Sequence, residues 1–311
     1  NEDGHWCGEL EGDSILESEY ILTMYFLGTA APGKLAKAAE YLRRLQLPEG
    51  GWSNFPGGDP EISATVKAYF ALKLLGDDAS EPHMRRARRA ARQLGGLRAC
   101  NSYTKLYLAI FGQYPWDLCP AVPPEMILLP QRVPFNIYSL SSWSRAIVVP
   151  LSMIWAYKPR VEVPEEAALT ELDVDGSIRH RATAKTPREF AWATFFEGVD
   201  VGLRSVERLG LRPFRRDALD RCEEWILARV EKSDGLGAIF PPIVNTIIAL
   251  RCHGYGLDHP VLAAQIEELE KLEIEDDETL RGRWDTPDRV RLGPRQRAGR
   301  PGRGQRHTLR A

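Results

Sequence analysis

An all-α fold of stacked helical hairpins is the fold class that this sequence predicts, for three reasons. Apolar residues recur at helical spacing in one segment after another along the chain. These segments start at capping residues or proline, and they stop at glycine or proline. No stretch shows a convincing period-two alternation of a half-buried strand, and helices joined by glycine-rich turns are typical of helical-repeat folds.

Four helices are predicted in the N-terminal third of the chain. Ser14 and Glu17 have the spacing of a capping box, with Ser14 as the N-cap of the first helix. Pro82 suits the first turn of the fourth helix, which Gly95 and Gly96 then stop. The four apolar stripes are Tyr20, Met24 and Leu27; Leu35, Ala38, Leu42 and Leu45; Val66, Tyr69, Phe70 and Leu74; and Met84, Ala87, Ala91 and Leu94.

The segment from Phe111 to Trp155 is unusual because it is apolar and rich in proline. Six prolines before Ser141 lack amide donors, so neither a sheet ladder nor a continuous helix fits its first part. An irregular, apolar backbone is rare unless it lines something, since its buried polar groups need partners. We therefore predict an ordered loop that leads into a buried helix. The later helices are predicted over residues 103–111, 139–155, 187–209, 214–230, 242–254 and 260–272.

Composition limits the class of function. The formal net charge of the 311 residues is −2, but residues 281–311 contain ten Arg and two Asp, so the rest of the chain carries −10. An acidic body argues against nucleic acid as a partner. Five scattered cysteines without a CxxC pattern suit a reducing compartment and argue against a disulfide or zinc framework. We find no secretory-signal pattern, and residues 146–155 are too short to span a bilayer.

Ordered matches along the chain carry a resemblance to a known family. GHWCGELEGD at 4–13, KAAEYLRRLQLPEGGWSNFPGG at 37–58 and SDGLGAIFPPIVNTIIALRCHGY at 233–255 are similar to segments of bacterial squalene–hopene cyclases, the class II triterpene cyclases. The resemblance runs from residue 4 to about residue 281, and ordered matches over that length are specific. Shorter matches in the same order are LESEYIL at 16–22, TVKAYFALKLLG at 65–76 and RPFRR at 212–216.

The resemblance implies an α/α barrel and an isomerase that cyclises squalene to pentacyclic hopanoids by protonating an alkene. It also implies no metal or organic cofactor, a squalene-like linear polyprene as substrate, and a peripheral position on the cytoplasmic face of the membrane. A homodimer is left open. By the same resemblance, residues 1–30 are expected to belong to the family's catalytic barrel, and residues 31–280 to form the α/α barrel. Residues 281–311 are expected to be an Arg-rich disordered or out-of-frame tail.

One structural repeat is implied as well. Gln46 and Trp52 fit the family's Gln–Trp repeat, in which the glutamine bonds backbone groups at the start of the next helix and the tryptophan packs over the turn. Trp6 resembles the end of another such repeat, so we expect a clipped N-terminus.

The resemblance also implies a hydrocarbon pocket. An apolar precursor needs shape and aromatic faces, and aromatic rings stabilise developing carbocations. For two of the implied positions, Trp143 and Tyr103, plain core packing is the alternative. The substrate-binding positions that the resemblance implies are Trp143, Tyr103, Ile239, Phe240 and Pro241.

Two further sets of residues follow from the same resemblance. Leu140 and Val148 match a narrow channel through which substrate enters from the membrane. Glu19 matches a position that hydrogen bonds link to the polar end of the cavity. The family often has Glu where this chain has Lys67, and a different side chain at Asn245, so the polar end departs from the family pattern.

The acid that starts the family's reaction is absent from this sequence. That acid belongs to an Asp-x-Asp-Asp motif and needs a dry, apolar pocket that keeps it protonated. Asp173–Asp175 lacks the last Asp and is expected to lie in a solvated turn, while Glu275–Glu278 is expected to be a solvated helix end. At residues 281–311, where the family continues into a second barrel, a truncated or shifted reading frame explains the sequence best. We therefore expect the chain alone to be an inactive fragment.

The sequence is also compatible with other functions. Residues 190–209 resemble an in-plane membrane anchor, and a core helix is the alternative. Protein prenyltransferase β subunits share the α/α barrel but need an Asp/Cys/His zinc site, for which only Cys252-His253 are adjacent. A non-catalytic helical-repeat binding protein is the more serious alternative. Bound zinc would support the prenyltransferase, and a partner protein captured without lipid would support the binding protein. The anchor residues implied are Phe190, Trp192, Phe195, Phe196, Arg204 and Arg208.

Overall fold

Ten α-helices and a short hairpin account for the regular structure of the described residues. The structure, a computed structural model, describes residues 13–29, 31–132, 136–174, 214–231 and 235–283, with isolated positions at 176, 198, 201, 202, 205, 209 and 210. The helices are α1 (Ser14–Leu27), α2 (Pro32–Leu45), α3 (Ile62–Leu74), α4 (Pro82–Gln93), α5 (Gly96–Ala99), α6 (Ser102–Ile110), α7 (Ser142–Tyr157), α8 (Arg215–Val230), α9 (Phe240–Cys252) and α10 (Pro260–Glu270). The strands are β1 (Glu273–Glu275) and β2 (Leu280–Gly282). The predicted all-α fold is confirmed.

Three helices form an inner layer that is buried on nearly every side. Every residue of α3 from Ser63 to Leu74 is buried, as are Phe240 to Leu250 of α9 and most of α1. Such helices pack inside a protein rather than at its surface. Because α1 packs against α2, α3 and α9, these helices define the centre of the described molecule.

The outer helices bury only one face each. The buried face of α2 consists of Ala38, Ala39 and Leu42, and α2 packs on α1, as α4 packs on α3. Proline occupies the start of α2, α4 and α10, where its missing amide costs no helical hydrogen bond. The inner and outer helices therefore form two layers, with the polar outer faces toward solvent.

The predicted irregular loop between α6 and α7 is confirmed in its described part. Residues 111–132 and 136–141 contain short 3-10 turns at Trp116–Leu118, Pro124–Leu128 and Ile137–Ser139, but no α-helix. The middle turn packs against α7 and α8. An ion pair of 2.6 Å between Arg215 Nε of α8 and Glu125 Oε1 joins this turn to α8.

The Gln–Trp repeat braces the turn between α2 and α3. Gln46 Nε2 donates to the carbonyl oxygens of Gly50 and His83, each at 2.9 Å, and His83 lies in the first turn of α4. Trp52 is fully buried, and its Nε1 donates to the Leu42 carbonyl of α2 at 2.8 Å. One short sequence thus ties α2 to the start of α4.

Two local predictions are wrong. Asp13, and not Ser14, is the N-cap of α1, because the Asp13 carboxylate accepts the Ile15 amide hydrogen bond at 3.0 Å. Glu275–Glu278 does not end a helix; it lies at the turn of the β1–β2 hairpin, where Asp276 Oδ1 accepts from two following amides. The register pairs are Glu273 with Gly282, Ile274 with Arg281 and Glu275 with Leu280.

Several predictions concern residues that the structure does not describe. The predicted helix over 187–209, with its anchor residues, lies outside the described residues apart from isolated positions. Trp6 and residues 284–311 also lie outside them. Within the described residues, no helix is long and apolar enough to cross a bilayer.

Candidate functional site

A buried ion pair lies between the inner helices α1 and α3. Glu19 Oε1 and Lys67 Nζ are 2.5 Å apart, and each side chain is only 1% exposed. Burial raises the pKa of Glu19, and the attraction of Lys67 opposes that shift. A carboxylate and an ammonium at this distance form a charge-assisted hydrogen bond, which compensates part of the cost of burying both charges.

Two tyrosines and an amide extend this pair toward α9. The hydroxyls of Tyr103 and Tyr107, one turn apart on α6, both donate to Asn245 Oδ1, at 3.0 and 3.1 Å. Lys67 Nζ lies 5.9 Å from the centroid of the Tyr103 ring, within the range of a cation–π interaction. Burial raises the pKa of both tyrosines well above the ordinary value, so both hydroxyls keep their protons. We call Glu19, Lys67, Tyr103, Tyr107 and Asn245 the polar cluster.

The polar cluster has unused hydrogen-bonding capacity. Within the described part of the chain, Glu19 Oε2 and Asn245 Nδ2 are buried and make no hydrogen bond. The first is an acceptor and the second a donor, so each could pair with a complementary polar atom. Leaving such atoms unpaired in a core is costly, so a polar atom that paired with either of them would stabilise the cluster.

The geometry of the cluster does not supply a proton donor for an alkene. An acid for that step must be held protonated in an apolar pocket. The Glu19 carboxyl instead accepts a short hydrogen bond from the Lys67 ammonium group, so it lies against a cation and not in an apolar pocket, and Lys67 opposes the rise in its pKa that burial causes. The cluster can therefore orient a polar group or set the local electric field, but Glu19 is not suited to protonate a hydrocarbon.

The predicted residues at the start of α9 lie beside the inner layer. Phe240 is 2% exposed, Pro241 is buried, and Ile239 is the half-buried N-cap residue of the helix. Phe240 borders a gap of about 10 Å³ that it shares with Leu16 and Tyr20 of α1. A gap of this size holds at most one water molecule, so in this structure Phe240 packs as a core residue.

The predicted residues on α7 lie at the surface instead. Ser141 caps this helix, and Trp143 in its first turn is 57% exposed. Leu140 is 36% exposed, and Val148 is half-buried. Plain core packing, the alternative for Trp143, does not hold in this structure. A large exposed aromatic with apolar neighbours is typical of a surface that another element covers.

The structure places some of the predicted residues in or beside the polar cluster and others away from it. Tyr103 and Glu19 belong to the polar cluster, and α9 connects that cluster to Phe240. α7 packs against α9, the helix that carries Asn245, while Trp143 is exposed in the first turn of α7. At the two positions where the chain departs from the family pattern, Lys67 donates to Glu19, and Asn245 accepts a hydrogen bond from Tyr107.

Sequence reasoning missed Tyr107 and the ion pair itself. Tyr107 follows Tyr103 by four residues, a spacing that places both on one face of a helix, and that spacing is the signal that could have found it. Nothing in the sequence joins Glu19 to Lys67, since the two are separated by 48 residues. Their only local signal is a charged residue within an otherwise apolar stretch of helix.

The cysteines and acidic residues form no described metal centre. No group of three or more His, Cys, Asp or Glu side chains among the described residues could hold a metal ion. Cys252, the predicted member of an alternative zinc site, is a free thiol, and burial raises its pKa to about 12.

Comparisons with known proteins agree with the resemblance seen in the sequence. Residues 1–278 match the model of the squalene–hopene cyclase N-terminal domain. The squalene–hopene cyclase of Zymomonas mobilis is 38% identical over 277 residues, which cover 89% of this chain and 42% of that relative. Those of Bradyrhizobium diazoefficiens and Alicyclobacillus acidocaldarius are 39% and 34% identical, covering 89% and 91% of this chain and 42% and 44% of the relatives. The chain thus spans less than half the length of these relatives.

Proposed function

The chain belongs to the squalene–hopene cyclase family, and from this premise we propose that it forms one wall of a chamber in which squalene is cyclised to a hopanoid. The observation that carries the proposal is the match to the family's N-terminal domain over residues 1–278. In this proposal the complete enzyme is an isomerase that starts the reaction by protonating a terminal alkene. It needs neither a metal nor an organic cofactor.

In this proposal, two groups of described residues have different roles. The polar cluster forms the polar end of the chamber, where Glu19 Oε2 and Asn245 Nδ2 have free hydrogen-bonding capacity. Trp143 and Leu140 form an apolar surface, exposed by 57% and 36%, that the remaining part of a complete cyclase covers. Because squalene is a hydrocarbon, Trp143 contributes shape and an aromatic face that stabilises a carbocation by about 2 kcal/mol when desolvated.

The remaining part of a complete cyclase supplies the acid. The sequence contains no Asp-x-Asp-Asp motif, and Glu19 is held by Lys67. A hydrocarbon substrate dissolves in a bilayer, so the proposed enzyme binds peripherally to the cytoplasmic face of a membrane and takes substrate through the channel at Leu140 and Val148. Residues 1–311 alone then cyclise nothing, even where they bind squalene.

A chimeric enzyme tests this function. Residues 1–280 of this chain are joined to the matching C-terminal remainder of the Zymomonas mobilis cyclase, and squalene products are assayed by gas chromatography. We expect hopene. Trp143→Ala in the chimera is expected to lower turnover by about 30-fold, the equivalent of 2 kcal/mol, or to change the product mixture.

A matched variant controls for the loss of an exposed ring. Phe55 is 64% exposed and lies on the loop after α2, so Phe55→Ala removes a similar area of aromatic surface away from α7. Its turnover and products should equal those of the parent chimera. A soluble, folded chimera that yields no cyclised product would refute the proposed function, and equal behaviour of both variants would remove Trp143 from it.

A further inference from the structure

The outer face of α4 carries a stripe of arginines. The helix contains five arginines and no acidic residue. Four of them, Arg85, Arg88, Arg89 and Arg92, follow the spacing i, i+3, i+4 and i+7, so they share one face about 10 Å long. The opposite face packs on the molecule through Met84, Ala87, Ala90 and Ala91, which are buried. We call the four arginines the basic stripe.

The basic stripe repels itself. Like charges three or four residues apart destabilise a helix, and the stripe contains four such pairs. The carboxylates at the start of α4 are engaged elsewhere, since Asp77 and Glu81 both contact the His83 ring. Arg92 donates to the backbone carbonyl of Glu171, whose carboxylate is instead bound by Lys73. The charge of the stripe is therefore left for a partner outside the described chain.

The basic stripe also borders a concavity. The four arginines, with Gln93 and Val174, line an open hollow of about 440 Å³. A guanidinium group presents a planar fork of donors that matches the oxygens of a phosphate group. The hollow is wide enough for a phosphate-bearing headgroup, and several guanidinium groups can reach that group together. Shape and charge both fit a phosphate monoester or diester.

We propose that the basic stripe of α4 binds the phosphate headgroups of an anionic phospholipid bilayer. A stripe only about 10 Å long fits the headgroups of a flat anionic surface better than a nucleic acid, which needs a longer basic footprint. The choice of a bilayer also rests on the proposed function, because the substrate there is a hydrocarbon. The stripe lies on α4, whereas Trp143 lies on α7.

Vesicle sedimentation of the full chain tests this proposal. The vesicles contain phosphatidylcholine alone or equal parts of phosphatidylcholine and phosphatidylglycerol. Each arginine near an anionic surface strengthens adsorption by about fivefold, so Arg85→Gln together with Arg89→Gln should weaken binding to the anionic vesicles by about 25-fold. Gln keeps the helix propensity of Arg, and unfolding curves of the variant check that the fold is kept.

The matched control removes the same charge elsewhere. Arg44 and Arg221 are exposed arginines that already form ion pairs with Glu278 and Glu224. Arg44→Gln together with Arg221→Gln should change binding by less than about twofold, since neither belongs to the stripe. The arginines of residues 281–311 are present in all three proteins, so differences between the proteins report on α4.

Three outcomes would overturn the proposal. Equal weakening by both double variants would mean that only net charge matters. Equal binding of the parent chain to the vesicles with and without phosphatidylglycerol would mean apolar adsorption. Loss of vesicle binding in inorganic phosphate, but not in chloride of the same ionic strength, would mean a site for a small anion instead of a bilayer. None of these readouts depends on cyclisation, so the proposed function is tested separately.

Discussion

Replacing Lys67 by methionine should destabilise the protein far more than its single ion pair suggests. The change leaves Glu19, a carboxylate that is 1% exposed, without its partner in the inner layer. Removing one member of a buried pair typically costs about 3–5 kcal/mol, because the remaining charge must be desolvated without compensation. For a domain of this size, each kcal/mol lowers the melting temperature by about 2–4 °C, so we expect a decrease of roughly 6–20 °C.

The stability of Lys67→Met should depend on pH, and the pKa of Glu19 determines the direction of that dependence. Burial already raises the pKa of Glu19, and without Lys67 nothing opposes that shift. A raised folded-state pKa means that the folded protein holds the proton more tightly than the unfolded chain does. The stability of Lys67→Met should therefore be highest at low pH and fall as the pH rises through the folded-state pKa of Glu19. Urea unfolding, followed by circular dichroism at several pH values, measures this slope.

Two further variants make the experiment decisive. Lys67→Met combined with Glu19→Gln removes both charges and should recover most of the lost stability. Lys271→Met breaks an exposed pair with Glu268, in which Lys271 is 59% exposed, and should cost less than about 1 kcal/mol. A Lys67→Met protein as stable as Lys271→Met, or a double variant less stable than Lys67→Met alone, would refute the reasoning.

Two other predictions follow from single contacts. Burial raises the pKa of Asp13 to about 6, so the folded chain should lose up to about 3 kcal/mol of stability as the pH rises from about 4 to about 6. Asp13→Asn keeps an N-cap acceptor but does not titrate, so this variant should not show that loss. Identical pH slopes in urea unfolding would contradict this assignment. Gln46→Ala removes the hydrogen bonds to Gly50 and His83 and should cost about 1–3 kcal/mol in urea unfolding, whereas Gln93→Ala, on the exposed end of α4, should cost less than about 0.5 kcal/mol. Equal costs for the two glutamines would show that Gln46 braces nothing.

Much of the helical framework was predictable because its signals are local. The stripe of Met84, Ala87 and Ala91 is buried as expected, and Pro82 begins α4. The apolar loop after α6 was predictable for the same reason, since proline acts on its own backbone and on its neighbour. Such features depend on residues within one or two turns of each other.

Features that depend on distant residues were not predictable. The β1–β2 hairpin has strands of three residues, too short for a periodic pattern, and it is held on α1 by the Gly282 amide, which donates to Glu17 Oε1 at 2.8 Å. Asp and Ser side chains can both cap a helix, so the sequence alone does not decide between Asp13 and Ser14. In the structure Asp13 has the extended backbone of an N-cap residue, and α1 begins at Ser14. The polar cluster needed the packing of α1, α3, α6 and α9 before Glu19 and Lys67 could be recognised as partners.

We propose that this chain supplies a wall of a cyclisation chamber but not the acid. Gas chromatography of squalene incubated in detergent, with residues 1–311 alone beside the chimera that carries the Zymomonas mobilis remainder, tests it most directly. We predict hopene from the chimera and none from the chain alone. Hopene from residues 1–311 above a boiled control would contradict the claim, because a proton donor for the alkene would then lie within this sequence.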